Sequence, residues 1–128
     1  MNQYDFIALG YNRMSDILRR RGLLDKALNN SVLALSTLQN VISDSVKALT
    51  YLSLGDIYEA KGESVDASSN YNNAYDIAVR LKSIPLQSMV HHHLSEMYKS
   101  LDDKGQATGE LKKSLALNKA SKYADGLV

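Results

Sequence analysis

Residues 51–74, YLSLGDIYEAKGESVDASSNYNNA, decide the fold of this chain. Apolar side chains recur at helical spacing up to Tyr58, and Lys61-Gly62 then supplies a basic last turn and a glycine at which a helix can end. A second helical pattern begins near Ala67 and continues through the tyrosines and alanines that follow. The stretch therefore predicts two helices joined by a tight turn.

The same arrangement occurs three times at an interval of 40 residues. Self-similarity at a fixed interval of about 20–50 residues is typical of stacked supersecondary units, in which each copy buries its apolar face against its neighbours. Small residues recur where two helices must approach closely, and large apolar residues recur beside them. The equivalent positions are Ser15, Gly55 and Ser95; Ala27, Ala67 and Ala107; Ala34, Ala74 and Ser114; Met14, Leu54 and Leu94; Ile17, Ile57 and Met97; and Leu18, Tyr58 and Tyr98.

Each copy is predicted to form two helices, which makes the chain all-α. The first helices are expected near 3–21, 45–60 and 85–100, and the second helices near 25–41, 65–82 and 105–122. The copies are expected to span approximately 5–44, 45–84 and 85–124 of a single domain, 1–128. A heptad coiled coil would carry its apolar spacing through the glycine and proline stops, and a four-helix bundle would have no reason to repeat at this interval.

Length and composition fit one globular domain and argue against several classes of function. The 128 residues carry 15 basic and 14 acidic side chains, and this balance gives no reason to bind nucleic acid or an anionic membrane. Cysteine is absent, so the sequence offers no disulfide, thiol nucleophile or thiolate metal site. The sequence contains no signal peptide and no long apolar run, so a cytoplasmic protein is expected.

Within the second copy, the order and spacing of residues resemble the tetratricopeptide repeat signature. The matching residues are Tyr51-x-x-Leu54-Gly55-x-x-Tyr58, followed by Gly62, Ala67, Tyr71 and Ala74, and the other copies place similar residues in the same positions. The usual repeat has about 34 residues, so this chain is similar to a longer-repeat branch found in bacterial signalling and regulatory proteins. The resemblance implies a right-handed superhelical solenoid of three antiparallel helix-turn-helix repeats with a protein or peptide ligand.

The resemblance also implies a binding surface on the concave side, formed by the first helix of each repeat. Its expected residues are Leu9, Asn12, Asp16 and Arg19; Leu49, Leu52, Asp56 and Glu59; and Met89, His92, Glu96 and Lys99. Spacings of three or four residues keep each set on one side of its helix. The three acids would select Lys, Arg or backbone donors, and Leu49, Leu52 and Met89 would supply apolar contact. The alternative is that these side chains are merely solvated residues between core positions.

Other polar clusters have explanations that need no chemistry. Of the histidines at 91–93, only His92 clearly shares a helix face with Glu96, and two ligands fall short of a zinc site, so neither a metal nor another cofactor is expected. The basic run at 19–21 lies at a predicted helix C-terminus, where the helix dipole favours cations. No phosphate loop, nucleophile elbow or zinc-protease motif occurs, so the chain is not expected to be an enzyme.

The sequence leaves two functions from different classes. The first is an interaction module that binds a protein or peptide, as the sensory or scaffolding part of a bacterial signalling or regulatory protein. The second is a structural adaptor that forms a homodimer or larger assembly through exposed end helices, because the last helix would expose Leu111, Leu115 and Leu117. Residues 123–128 fall where a fourth first helix would begin, so the chain is expected to be part of a longer protein.

Overall fold

The described part of the chain is helical throughout. A computed structural model describes residues 2–39 and 44–124. These two ranges contain no β-strand, and the predicted all-α class is confirmed. The helices are α1 (Gln3–Arg20), α2 (Leu24–Thr37), α3 (Asp44–Ala60), α4 (Ser64–Arg80), α5 (Ile84–Ser100) and α6 (Lys104–Ala124). The boundary predicted for α2, at residue 41, lies outside the described residues.

The four described connections between helices share one backbone geometry. Each contains a residue with positive φ, which is 78° at Gly22 and Gly62, 53° at Lys82 and 59° at Asp102. The amide that follows this residue donates to the carbonyl five residues earlier, at 2.9 Å in all four turns. This pattern is the Schellman motif, which ends a helix by bonding its last carbonyls. Glycine adopts the left-handed conformation without steric cost, whereas Lys82 and Asp102 adopt it at some cost.

Each helix packs mainly against its neighbours in the sequence. α1 packs on α2, α3 on α4 and α5 on α6, and the pairs are joined by contacts of α2 with α3 and of α4 with α5. α1 also contacts α3, and α3 contacts α5. Within the described ranges, α2, α4 and α6 do not contact one another. The order of the helices in space therefore follows their order in the chain, with α1, α3 and α5 side by side.

Small residues lie where the paired helices approach closely. Ser15 and Ser95 are buried, and the Ser15 hydroxyl donates to the backbone carbonyl of Ala27 at 2.9 Å. The Ser95 hydroxyl donates in the same way to the carbonyl of Ala107, also at 2.9 Å. Positions 80 residues apart thus make the same contact, as their equivalence in the sequence predicts. Gly55, the intermediate position, has no side chain and is buried as well.

The main core lies between α3, α4 and α5. Tyr71 is the largest fully buried side chain in the described residues, and its ring occupies the space beside Gly55. The buried cluster around it includes Ala74, Val90 and Met97, and partly buried leucines and tyrosines of the same helices pack against it. No helix in the described ranges is long and apolar enough to span a membrane.

Candidate functional site

α1, α3 and α5 border a cavity of about 200 Å³ on the side that they share. This cavity is termed the α1/α3/α5 cleft. Its lining residues are Leu9, Asn12, Arg13 and Asp16 from α1; Leu49, Leu52, Ser53 and Asp56 from α3; and Met89 and His93 from α5. Most are separated by three or four residues, so one side of each helix faces the cleft.

The cleft has an apolar end and an acidic end. Leu9, Leu49 and Met89 occupy the earlier positions along the three helices. Asp16 and Asp56 follow two helical turns later, which corresponds to about 10 Å along a helix. A ligand that fills the cleft would therefore meet apolar side chains at one end and carboxylates at the other.

Asp56 is the most connected polar residue of the cleft. The Tyr71 hydroxyl donates to Asp56 Oδ1 at 2.6 Å, and Nδ1 of His93 lies 2.8 Å from the same oxygen. The His93 ring also packs at a tilt against the ring of Tyr71, with ring centroids 5.8 Å apart. The carboxylate thus joins α3 to both α4 and α5, and it holds His93 at the rim of the cleft.

Burial and the Asp56 charge set the protonation of both partners. Burial raises the pKa of the Tyr71 phenol, and the Asp56 carboxylate raises it further, so the hydroxyl keeps its proton and donates it to Asp56. Burial lowers the pKa of His93, but the hydrogen bond to Asp56 and the negative charge of Asp56 outweigh it, and the net pKa is above the ordinary 6.5. His93 therefore carries a positive charge over a wider pH range than an exposed histidine.

Asp16 has fewer partners than Asp56. In the described part of the chain, its carboxylate accepts one long hydrogen bond, from the Ser53 hydroxyl at 3.5 Å. Burial raises the pKa of Asp16, the Arg19 guanidinium lowers it, and the nearby charge of Asp56 raises it again. An acid in this state gains from any cation that enters the cleft, because the added charge stabilises its ionised form.

Asn12 links α1 to α3 in the cleft wall. Thr50 donates its only hydroxyl proton to the carbonyl of Val46 at 2.9 Å, so Thr50 Oγ1 can serve Asn12 only as an acceptor. Asn12 therefore presents its amide nitrogen to Thr50, at 2.9 Å, and its buried Oδ1 has no hydrogen-bond donor among the described residues. Because its amide nitrogen is held by Thr50, the Asn12 side chain has one fixed orientation and forms part of a preformed wall of the cleft.

The structure separates the sequence-predicted binding residues into three groups. Seven of them line the α1/α3/α5 cleft together: Leu9, Asn12, Asp16, Leu49, Leu52, Asp56 and Met89. Glu96 and Lys99 border a different cavity, of about 390 Å³, between α5 and α6. Arg19 and Glu59 are half-buried beside the cleft, and His92 is exposed with its ring edge-on to His93 at 6.2 Å.

Arg13, Ser53 and His93 line the cleft but are missing from the sequence-predicted set. They occupy equivalent positions in the three copies, each one residue after Asn12, Leu52 or His92. The resemblance implied instead that the column before them faces the groove. A signal was nevertheless present, because three polar residues recur 40 residues apart on the first helices.

The remaining histidine of the run has a structural contact. Nδ1 of His91 lies 2.6 Å from Glu110 Oε2, and its ring packs edge-on against Tyr75 with centroids 5.3 Å apart. His91 therefore joins α5 to α6 and to α4. No group of three or more histidine, aspartate or glutamate side chains able to hold a metal ion occurs in the described residues.

Comparisons of the chain with protein-family models, with curated proteins and with solved structures find no match. The functional interpretation therefore depends on the residues and the geometry of this molecule.

Proposed function

We propose that the chain is a tetratricopeptide-like right-handed solenoid of three helical repeats that binds a protein or peptide segment in the α1/α3/α5 cleft. The contact pattern supports the repeat interpretation, because helices pack on their sequence neighbours and α1, α3 and α5 lie side by side. The equivalent bonds of Ser15 to Ala27 and of Ser95 to Ala107 support it further.

The single observation that carries the binding proposal is the position of Asp16. Its carboxylate is half-buried, it accepts one long bond from the described residues, and it borders a cavity whose other end is formed by Leu9, Leu49 and Met89. A core residue would have its acceptors filled, and a solvated residue would not share a cavity with three large apolar side chains.

The chemistry of the cleft favours, as its ligand, an amphipathic segment with apolar side chains on one side and Lys or Arg on the other. A ligand cation would pair with Asp16 and with the oxygen of Asp56 that Tyr71 and His93 leave unused. Arg13 and His93 also line the cleft, but His93 is already bonded to Asp56 and Arg13 is exposed, so a segment with a carboxylate at the acidic end is disfavoured. Apolar contacts with Leu49 and Met89 then set the register of the segment.

Such a module acts by holding a partner, and needs no cofactor. The resemblance stated above suggests the sensory or scaffolding part of a bacterial signalling or regulatory protein, in a role without catalysis. A groove commonly binds one helix or one extended segment by recognising a few of its apolar and basic side chains.

A selection from a random displayed peptide library tests the proposal. We expect the captured sequences to be enriched in Leu, Ile or Met combined with Lys or Arg. Binding should fall about ten- to a hundredfold with Asp16→Asn, because a lost charge-assisted bond is typically worth about 1.5–3 kcal/mol. It should also fall with Met89→Ser, which shortens an apolar side chain at the other end.

Asp66→Asn is the matched control, because Asp66 is an exposed acid on α4, away from the cleft. Peptides that bind Asp16→Asn, Met89→Ser and the parent protein equally well would contradict the proposal. Enrichment of acidic peptides would contradict the ligand chemistry.

A further inference from the structure

The outer side of α6 exposes apolar residues whose equivalents elsewhere are covered. Leu111 is 42% exposed and Leu115 is 60% exposed. Their equivalents on α4, 40 residues earlier, are Tyr71, which is fully buried, and Tyr75, which is half-buried against His91 of α5. α5 packs on α4, but no equivalent helix packs on α6 in the described residues. The cavity of about 390 Å³ that Leu111 borders lies where that helix would pack.

The outer side of α1 shows the complementary situation. Met14 and Ile17 are 48% and 47% exposed. Their equivalents on α3, Leu54 and Ile57, are 5% and 1% exposed, and α3 is the helix that packs on α2. α3 and α5 use this side to contact the helix that precedes each of them. The same side of α1 has no preceding helix to contact in the described residues.

A repeated polar contact shows how the two sides fit together. The Ser53 hydroxyl donates to Asp16 at 3.5 Å, and His93 Nδ1 lies 2.8 Å from Asp56, and in each case the donor follows the acid by 37 residues. Glu96 is the third acid of this series and is exposed. A partner for Glu96 would come from the position that Ser53 and His93 occupy on their helices. On α1, the residue at that position is Arg13.

We infer that a second copy of the chain packs head to tail on the first, with its α1 on the outer side of α6 and Arg13 of the second copy paired with Glu96. The contacts within the chain define the register of this interface. Tyr75 packs on His91, so Leu115, the equivalent of Tyr75, would pack on Tyr11 of the second copy. The Ser68 hydroxyl lies 3.7 Å from Met97 Sδ, so Thr108, the equivalent of Ser68, would pack on Ile17 of the second copy.

Charge distinguishes this register from general apolar adhesion. Lys99 and Lys104 border the cavity beside Glu96, and α1 carries Arg19 and Arg20 in its last turn. Glu96 is the one acidic side chain that borders this cavity in the described residues, so an incoming Arg13 gains a charge pair there in the register that places it at Glu96. Because the two surfaces differ, the interface is heterologous, and it generates an open chain of copies unless the rotation closes a ring.

The experiment measures sedimentation velocity of the full chain over a range of concentrations. The inference predicts that the mean mass rises with concentration and passes beyond that of a dimer. Glu96→Arg and Arg13→Glu should each weaken association about tenfold or more, because like charges then face each other. Leu115→Ser should weaken it as well by removing apolar contact. Asp66→Arg, which reverses an exposed charge on α4, should leave association unchanged.

Mixing the two charge-reversed variants separates this interface from a folding defect. In the mixture, Arg at position 96 of one variant faces Glu at position 13 of the other, and the unaltered Glu96 faces the unaltered Arg13, so association should return. A parent chain that stays monomeric at all concentrations would overturn the inference. So would assembly that stops at a dimer, or a mixture that associates no better than its separate components.

Discussion

Nδ1 of His93 lies 2.8 Å from Oδ1 of Asp56, and this contact joins α5 to α3 at the rim of the α1/α3/α5 cleft. The Tyr71 hydroxyl bonds the same oxygen from α4 at 2.6 Å. Three consecutive helices therefore meet at one carboxylate. The contact has a consequence for stability as well as for the shape of the site, because the hydrogen bond to Asp56 raises the pKa of His93 in the folded protein.

His93 should make the stability of the fold depend on pH. Its pKa is raised in the folded protein above the ordinary 6.5, so the folded state binds a proton more tightly than the unfolded state. The contribution is fully present below about pH 6.5 and is lost as the pH rises through the folded pKa. Urea denaturation between pH 5 and pH 9 measures the free energy of unfolding, and it should decline over that window.

His93→Gln is the control for this dependence, because glutamine can donate to Asp56 without titrating. The variant should lose the decline in stability above about pH 6.5. An identical pH dependence in the parent and the variant would show that His93 is not its source.

Gly55 should tolerate no larger residue. A Cβ at this position would meet the ring of Tyr71, which is fully buried and is held by its bond to Asp56. Gly55→Ala should therefore lower the free energy of unfolding by about 1–3 kcal/mol, the usual cost of overpacking. Chemical denaturation checks this value.

Gly109→Ala is the matched control for the glycine substitution. Gly109 lies within α6 and has no neighbour within 4 Å of an added Cβ, so the better helix propensity of alanine should raise stability by up to about 1 kcal/mol. If Gly55→Ala were as stabilising as Gly109→Ala, the close contact with Tyr71 would not exist in solution.

Ser15 and Ser95 should make comparable contributions to stability. Each donates a buried hydrogen bond to the first-turn alanine of the next helix, and such bonds contribute about 0.5–1.5 kcal/mol net. Ser15→Ala should cost somewhat more than Ser95→Ala, because the Ser15 hydroxyl also lies 2.7 Å from that of Ser31. Ser69→Ala, at an exposed position of α4, supplies the reference. Equal stability of all three variants would show that the two buried hydrogen bonds contribute nothing to the stability of the fold.

Much of the fold can be predicted because its decisive signals are local and repeated. Gly22 and Gly62 mark two turns by their freedom to adopt positive φ, and Ser15, Gly55 and Ser95 mark the helix crossings by their size. Lys82 adopts the same left-handed conformation without a glycine signal. The next helix begins two residues later, at Ile84, so the chain must turn at Lys82 although no glycine is present.

The candidate site is harder to predict because its members are selected by contacts between helix pairs. Asp16, Asp56 and Glu96 are equivalent in sequence, yet Asp56 is bound by two donors, Asp16 by one and Glu96 borders another cavity. The following pair supplies one partner to each acid, which is Ser53 for the first and His93 for the second. The additional donor on Asp56 is Tyr71 of its own pair, whose equivalent in the first copy, Ser31, contacts Ser15 instead. Periodicity alone cannot reveal which partner a given acid receives.

Nuclear magnetic resonance titration is the most direct test of whether the α1/α3/α5 cleft binds an amphipathic basic segment. The probe is a designed helical peptide of leucine, lysine and alanine, compared with an analogue in which every lysine is glutamate. We expect the lysine peptide to shift the backbone amide signals of Leu9, Asp16, Leu49, Asp56 and Met89, and the glutamate analogue to leave them in place. Shifts confined to α2, α4 and α6, or an equal response to both peptides, would contradict the proposed binding.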